Sequence, residues 1–272
     1  MALVQVNFSS SSLKRIVPIQ AILPVESRGE AAGGSYPTLY LLHGVTGNYT
    51  DWVSRTNIQR WAEAKGLAVV MPSGDNGFYI DRPESQNYYG EYIGRELVEI
   101  TRRMFPLSHR REDTFIAGLS MGGYGAVRNG LKYHETFGCI AGLSTANIVE
   151  GIEKRTNEEP YFLTRRDFAE SIFGDLSKVR GSDKDPKWLA ERLAASGAAL
   201  PRIYLACGTE DALLEGNRDL RDFLRAAGAD VTYEEGPGGH EWDFWERHIR
   251  RVIDWLPLGQ DEAAGSGGEG KK

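Results

Sequence analysis

The stretch that most constrains this chain runs Asp113-Thr-Phe-Ile-Ala-Gly-Leu-Ser-Met-Gly-Gly-Tyr-Gly-Ala-Val and ends at Val127. Thr114 to Ala117 reads as a short buried strand and Met121 to about Tyr133 as a helix. Between them Gly118, Ser120 and Gly122 form a G-x-S-x-G. A chain that turns this sharply from strand to helix forces the serine into a strained backbone conformation and lifts its hydroxyl clear of the sheet. Glycines are needed on either side because a side chain there would strike the neighbouring strand or helix. The turn also sets Ser120 at a helix N-terminus, where free N–H groups favour a developing negative charge. A chain with 32 glycines meets this pattern by chance too, so the residues around it must decide.

The rest of the chain supplies the sheet that such a turn requires. Leu3 to Phe8 and Leu13 to Leu23 read as two antiparallel strands joined at Ser9 to Ser12, and Pro24 to Pro37 as a surface loop. Thr38 to Leu42 and Leu67 to Met71 are continuous apolar runs of the kind buried on both faces of a parallel sheet. Asn57 to Lys65 reads as a short amphipathic helix. Gly74 to Tyr89, crowded with Asp, Asn and Gly, reads as a loop outside the core. Tyr92 to Met104 reads as a helix with Ile93, Leu97, Ile100 and Met104 on one face. Strands follow at Phe137 to Leu143, Arg202 to Cys207 and Val231 to Glu234, with helices at Asn217 to Ala227 and Asp243 to Leu256. This alternation predicts an α/β fold with a doubly wound, mostly parallel sheet and right-handed crossovers.

Two segments break that rhythm. Residues 145–200 are too long for a plain connection and carry helical patches at Asp167 to Phe173 and Pro186 to Ala195, so a cap-like insertion over one end of the sheet is expected. Residues 259–272, built of Gly, Ser, Glu and Lys, read as a disordered tail, which leaves residues 1–258 as one domain.

A net charge of −6 with scattered basic pairs offers no electrostatic reason to expect nucleic acid or an anionic membrane as partner. No apolar run approaches the roughly 20 residues that span a bilayer. Cys139 and Cys207 each sit in an apolar strand and lack a partner at ligand spacing, so they read as buried reduced thiols in a cytoplasmic protein. Neither a metal nor an organic cofactor is called for, and homo-oligomerisation is left open.

A serine hydroxyl becomes a nucleophile only when a base takes its proton and a third group orients that base. In sheets of this type serine, acid and histidine follow in that order along the chain. Beyond Ser120 lie His134, His240 and His248. His134 ends the elbow helix and His248 lies inside the last helix, where both read as surface or packing residues. His240 closes the glycine loop Gly236 to Gly239 between a strand and a helix, where an imidazole reaches the carboxyl edge of the sheet. The acid is expected in the preceding strand-to-helix loop, where Glu210 and Asp211 both stand; spacing does not choose between them. An oxyanion needs two preorganised N–H donors. Met121 offers one, and Val45, in the loop after Leu42, offers the second, with His43 steadying that loop.

Taken together these residues resemble the putative-esterase branch of the α/β-hydrolases, which includes esterase D with S-formylglutathione hydrolase, the antigen 85 mycolyltransferases, and feruloyl and acetylxylan esterases. The likeness is greatest to bacterial tributyrin esterases. It rests on Leu41 to Trp52, Asp75 to Tyr79, Gly118 to Gly123, Cys207 to Asp211, and Gly238 to Trp245. The resemblance implies an α/β-hydrolase fold with Ser120 as nucleophile, Asp211 rather than Glu210 as acid, His240 as base, and Val45 and Met121 as oxyanion hole. Thr46 to Asn48 departs from the cysteine-containing stretch typical of S-formylglutathione hydrolases. Trp52, Phe78 and Tyr79 are expected as an apolar substrate wall, whereas Trp242 and Trp245 are expected to pack on the sheet.

The leading expectation is a serine carboxylesterase for short acyl esters of small molecules or polysaccharide, working through an acyl-enzyme. Feruloyl or acetylxylan esterase, S-formylglutathione hydrolase and acyltransferase are alternatives on the same scaffold. A non-catalytic binding module is a third class, disfavoured because every catalytic position holds a competent residue.

Overall fold

The computed structural model describes residues 1–26 and 34–258. The expected tail at 259–272, and residues 27–33 of the expected loop, lie outside the described residues. The strands are β1 (Ala2–Ser10), β2 (Arg15–Leu23), β3 (Thr38–Leu42), β4 (Ala68–Pro72), β5 (Asp81–Arg82), β6 (Asn87–Tyr88), β7 (Thr114–Leu119), β8 (Cys139–Leu143), β9 (Arg202–Gly208) and β10 (Val231–Gly236). Eight of them form one sheet in the order β1-β2-β4-β3-β7-β8-β9-β10, while β5 and β6 make a small separate hairpin. β1 and β2 pair antiparallel, as do β2 and β4; every pairing from β4 to β10 is parallel. The fold is that of the α/β-hydrolases.

The helices are α1 (Asp51–Arg55), α2 (Ile58–Ala64), α3 (Tyr89–Glu91), α4 (Leu97–Met104), α5 (Met121–Lys132), α6 (Arg166–Phe173), α7 (Pro186–Ala195), α8 (Leu214–Ala226) and α9 (Trp242–Trp255). Side chains along a strand point alternately to the two faces, and the two cores divide accordingly. Tyr40, Leu42, Val70 and Ile116 face one core, with Val127 and Leu131 of α5 and Leu224 of α8. Leu39, Leu41, Val69 and Phe115 face the other, with Ile58 of α2 and Ile249 and Val252 of α9. This double burial is why the central strands read as unbroken apolar runs. Because these strands run parallel, the loops after β3, β4, β7, β8, β9 and β10 all emerge at the carboxyl edge of the sheet.

Two expectations fail for physical reasons. The helix before β7 carries a wider π-type turn at Tyr92–Glu96, where the spacing exceeds four residues per turn. Its buried stripe therefore runs Ile93, Leu97, Thr101, and Met104 swings out to solvent. The segment Gly74 to Tyr89 is not peripheral: Phe78, Tyr79, Ile80 and Tyr89 are all buried. Its polar residues bond to other loops, which lets its aromatic residues enter the core.

Cys139 and Cys207 are buried free thiols, and burial pushes the Cys139 thiol up to about 11 and the Cys207 thiol up to about 12. Among the described residues no helix is long and apolar enough to cross a membrane.

The segment between β8 and β9 carries α6 and α7, and α7 packs against α5 and α8. A charged latch ties it down. Arg128 of α5 is completely buried and donates from Nε to the Asp183 main-chain oxygen at 2.8 Å and from Nη2 to the Asp183 carboxylate at 2.5 Å. Lys132 bridges Asp183 at 2.8 Å and Asp81 at 3.2 Å. Asp183 is part-exposed and keeps Lys132, so Arg128→Ala removes chiefly the hydrogen bonds and packing of one fully buried side chain. It should lower unfolding free energy by about 1–3 kcal/mol. Urea denaturation checks this; a loss within experimental error would show that the latch contributes nothing net.

Candidate active site

Ser120 is the hinge between β7 and α5, with φ 53° and ψ −116°, a strained conformation for a residue with a side chain. Three main-chain hydrogen bonds hold it there. Its N–H donates to Leu143 O at 2.8 Å, and its carbonyl accepts from Tyr124 N–H at 3.0 Å and Ala146 N–H at 3.1 Å. The flanking glycines are sterically required. A Cβ on Gly118 would lie 2.3 Å from Gly122 O, and one on Gly122 would lie 2.5 Å from Leu42 O. Ser120 is 7% exposed.

The structure brings the three residues of the expected relay together. His240 Nε2 lies 3.0 Å from Ser120 Oγ, and His240 Nδ1 lies 2.9 Å from Asp211 Oδ2. The His240 side chain is 39% exposed, whereas that of Asp211 is wholly buried. Burial works against ionisation of Asp211. Hydrogen bonds from His240, Leu213 N–H and Ser144 outweigh it and hold the carboxyl below its ordinary value. An ionised carboxylate held in this way can fix the imidazole tautomer that leaves Nε2 free to take a proton from Ser120.

Glu210, the other acid that the spacing allowed, turns away from the imidazole. Its Oε2 accepts from Gly238 N–H and its Oε1 from the Thr209 hydroxyl. Arg247 donates to Pro237 O at 2.6 Å, and Glu241 accepts from Gly239 N–H at 3.0 Å. These contacts fasten the glycine loop that carries His240.

Met121 N–H opens the first turn of α5, where an amide has no intrahelical acceptor, and Val45 lies in the loop after β3. That loop is held from below. Buried His43 donates from Nδ1 to Gly44 O at 2.6 Å, so its Nε2 is the acceptor for Gly74 N–H at 2.8 Å. Burial lowers the His43 pKa, consistent with a neutral ring in that double role. Asn76 Oδ1 accepts from Thr46 N–H at 2.8 Å.

The three expected wall residues stand elsewhere than expected. Trp52 is buried with its indole N–H on Leu42 O at 3.1 Å, and Tyr79 is buried with its hydroxyl on His43 O at 3.0 Å. Both brace the loop that bears Val45 instead of facing an open cleft. Phe78 is buried between Tyr124 and Phe173, with ring centroids at 5.8 and 5.5 Å. The open space lies beside it: a cavity of about 310 Å³ lined by Tyr124, Ala146, Ile148, Trp188, Leu220 and Phe223, among others.

Two side chains at the site were not singled out in the sequence as part of it. Trp245 sets its ring edge-on to His240, with centroids 4.9 Å apart and planes at 89°, and donates its indole N–H to Ser144 Oγ at 3.1 Å. Ser144 stands directly after β8 with φ 45°. Nothing in the sequence around it distinguishes that serine from an ordinary loop residue. Among the described residues no group of three or more His, Cys, Asp and Glu side chains converges to hold a metal.

A family model described as "Putative esterase" matches residues 10–255. An acetyl esterase from Caldicellulosiruptor saccharolyticus is 44% identical over 261 residues, covering 94% of this chain and 98% of that protein. Among solved structures, an S-formylglutathione hydrolase from Staphylococcus aureus superposes with a TM-score of 0.80 at 30% identity, covering 94% of this chain and 98% of the other. A fluorophosphonate-binding serine hydrolase F, also from Staphylococcus aureus and solved with substrate bound, superposes at 0.82 with 31% identity over the same shares.

The Tyr79 hydroxyl bonds a carbonyl next to the loop bearing Val45, so Tyr79→Phe is expected to cost about 1–2 kcal/mol of stability. Thermal unfolding followed by circular dichroism measures it, and an unchanged midpoint would show that this bond does not brace the loop.

Proposed function

The chain belongs to the putative esterase family and is a carboxylic ester hydrolase, and from that premise we propose that it is a serine esterase acting on short-chain acyl esters. The observation that carries the mechanism is the continuous hydrogen-bonded line from Ser120 Oγ through His240 to Asp211. His240 takes the hydroxyl proton as Ser120 Oγ attacks the ester carbonyl, and Asp211 stabilises the imidazolium that forms. The N–H groups of Met121 and Val45 receive the oxyanion. As the tetrahedral intermediate collapses, the alcohol leaves with the proton from His240, and the acyl group stays on Ser120. Water then enters, gives its proton to His240 and releases the acid by the same steps.

The acyl preference rests on the acetyl esterase relative at 44% identity. We place the alcohol half of the ester in the cavity beside α5, because Tyr124 and Ala146, which line it, both donate main-chain N–H groups to the Ser120 carbonyl. The apolar part of its wall, Tyr124, Ile148, Trp188, Leu220 and Phe223, suits an aryl or alkyl alcohol, alongside the charged side chains of Glu150, Arg180, Asp185, Lys187 and Glu191. The similarity to an S-formylglutathione hydrolase favours a second reading, in which the alcohol is replaced by a thiol.

Ser120→Ala should lower kcat on p-nitrophenyl acetate by on the order of 10⁵–10⁶. Hydrolysis at the wild-type rate would return the protein to a non-catalytic reading of the fold. Initial rates on p-nitrophenyl acetate, butyrate and octanoate should fall by at least about tenfold from the short chains to the long one. S-formylglutathione turned over orders of magnitude faster than any of them would replace the ester with the thioester. For the alcohol site, Trp188→Ala should raise KM for a bulky aryl acetate several-fold and leave methyl acetate unaffected; equal effects on both substrates would place that group elsewhere.

A further inference from the structure

Behind the Ser120–His240–Asp211 line, a second hydrogen-bonded path joins its two ends. Asp211 Oδ1 accepts from Leu213 N–H at 2.9 Å, and Leu213 O accepts from the side-chain amide of Asn217 at 2.9 Å. The same amide faces the main chain of Thr145 as one strand faces another. Its Oδ1 accepts from Thr145 N–H at 3.0 Å and its Nδ2 donates to Thr145 O at 3.0 Å. The next residue, Ala146, donates its N–H to Ser120 O at 3.1 Å. With His240 the path closes into a ring, and Asn217 is its only side chain outside the serine, histidine and aspartate.

Asn217 is 0% exposed, so it reaches the reaction only through the groups that it bonds. Its partners determine its orientation. Thr145 presents a carbonyl that takes a donor and an N–H that takes an acceptor. The Leu213 carbonyl, which already accepts Asn217 N–H at 3.0 Å, takes a second donor, and the amide meets all three when placed this way. The loops it joins leave neighbouring strands: Thr145 follows β8, and Leu213 belongs to the turn between β9 and α8. Ser144, through its N–H to Ala206 O at 2.7 Å and its hydroxyl to Asp211, already ties the two, and Asn217 adds a further tie. A turn that carries the acid and a loop that holds the nucleophile's main chain must keep one separation for the imidazole to touch both.

We infer that Asn217 is a positioning residue for the hydrolysis, its amide joining the Leu213 carbonyl to Thr145 and so setting the Asp211 carboxylate and the Ser120 main chain at the distance His240 spans. This rests on the reading of Ser120, His240 and Asp211 as the catalytic relay.

The test uses the full chain with Asn217→Ala and Asn217→Asp, at a temperature where circular dichroism shows each variant folded. Both kcat on p-nitrophenyl acetate and the rate of fluorophosphonate labelling should fall about 10- to 100-fold, with KM within about threefold of wild type, since a small misplacement of reacting groups costs turnover rather than binding. The Asp side chain keeps the shape and the acceptor for Thr145 N–H but donates to neither carbonyl when ionised and to only one when protonated, so it should show a loss too; it decides the matter if the Ala variant does not fold. Turnover and labelling within about twofold of wild type in a folded variant overturn the inference, as does a loss confined to KM. Ser120→Ala, assayed alongside, separates the failures. If it stays active, the catalytic relay itself is wrong; if it is inactive while the Asn217 variants are normal, only the role of Asn217 is wrong.

Discussion

Everything at this site depends on a backbone that changes direction within one residue. Ser120 can occupy its left-handed conformation only because the chain on both sides is stripped to glycine and because β8 takes its N–H. A residue with a side chain in such a conformation costs of order 1–3 kcal/mol. Hydrogen bonds from Tyr124 and Ala146 to its carbonyl, and the packing of α5 into the sheet, offset that cost. The hydroxyl is thereby held at a helix N-terminus, 3.0 Å from His240 Nε2.

The same kind of strain recurs around it. Of the eight described non-glycine residues with positive φ, Lys14 and Gln86 sit in hairpin turns; of the other six, Thr46 follows β3, Asp75, Phe78 and Tyr79 follow β4, Ser120 follows β7 and Ser144 follows β8. These six all lie beyond the carboxyl ends of strands, where the loops bend back over the sheet. These loops bond to one another or to the helices beside them: Tyr79 and Gly74 to His43, Asn76 to Thr46, Trp245 of α9 to Ser144, Asn217 of α8 to Thr145. The site is therefore a set of mutually braced turns on a rigid sheet. Preorganisation of this kind keeps donors aimed at a developing charge without reorganisation during reaction.

Much of this could be read from the residues alone. The apolar runs at β3, β4, β7, β8 and β9 announce strands buried on both faces, and the glycine-flanked serine announces the turn between β7 and α5. The positions of Asp211 and His240 followed from chain order and loop chemistry, although only the resemblance favoured Asp211 over Glu210 before the geometry was known. What stayed hidden has physical causes. A π-type turn at Tyr92–Glu96 shifts a helix face without changing composition. Trp52 and Tyr79 look like a substrate wall because a polar-tipped aromatic side chain suits both a cleft and a buried carbonyl, and spacing cannot tell which it meets. Asn217 bonds Thr145 across 72 residues of chain and Ser144 bonds Trp245 across 101, relations that no local pattern encodes.

The most direct test of the whole account is to trap the acyl-enzyme. A slowly hydrolysed ester, quenched in acid and followed by intact-mass and peptide mass spectrometry, should add one acyl group per chain, carried by the peptide that contains Ser120 and absent when His240 is replaced by alanine. Steady hydrolysis with no such adduct, or with the acyl group on another residue, would contradict the account.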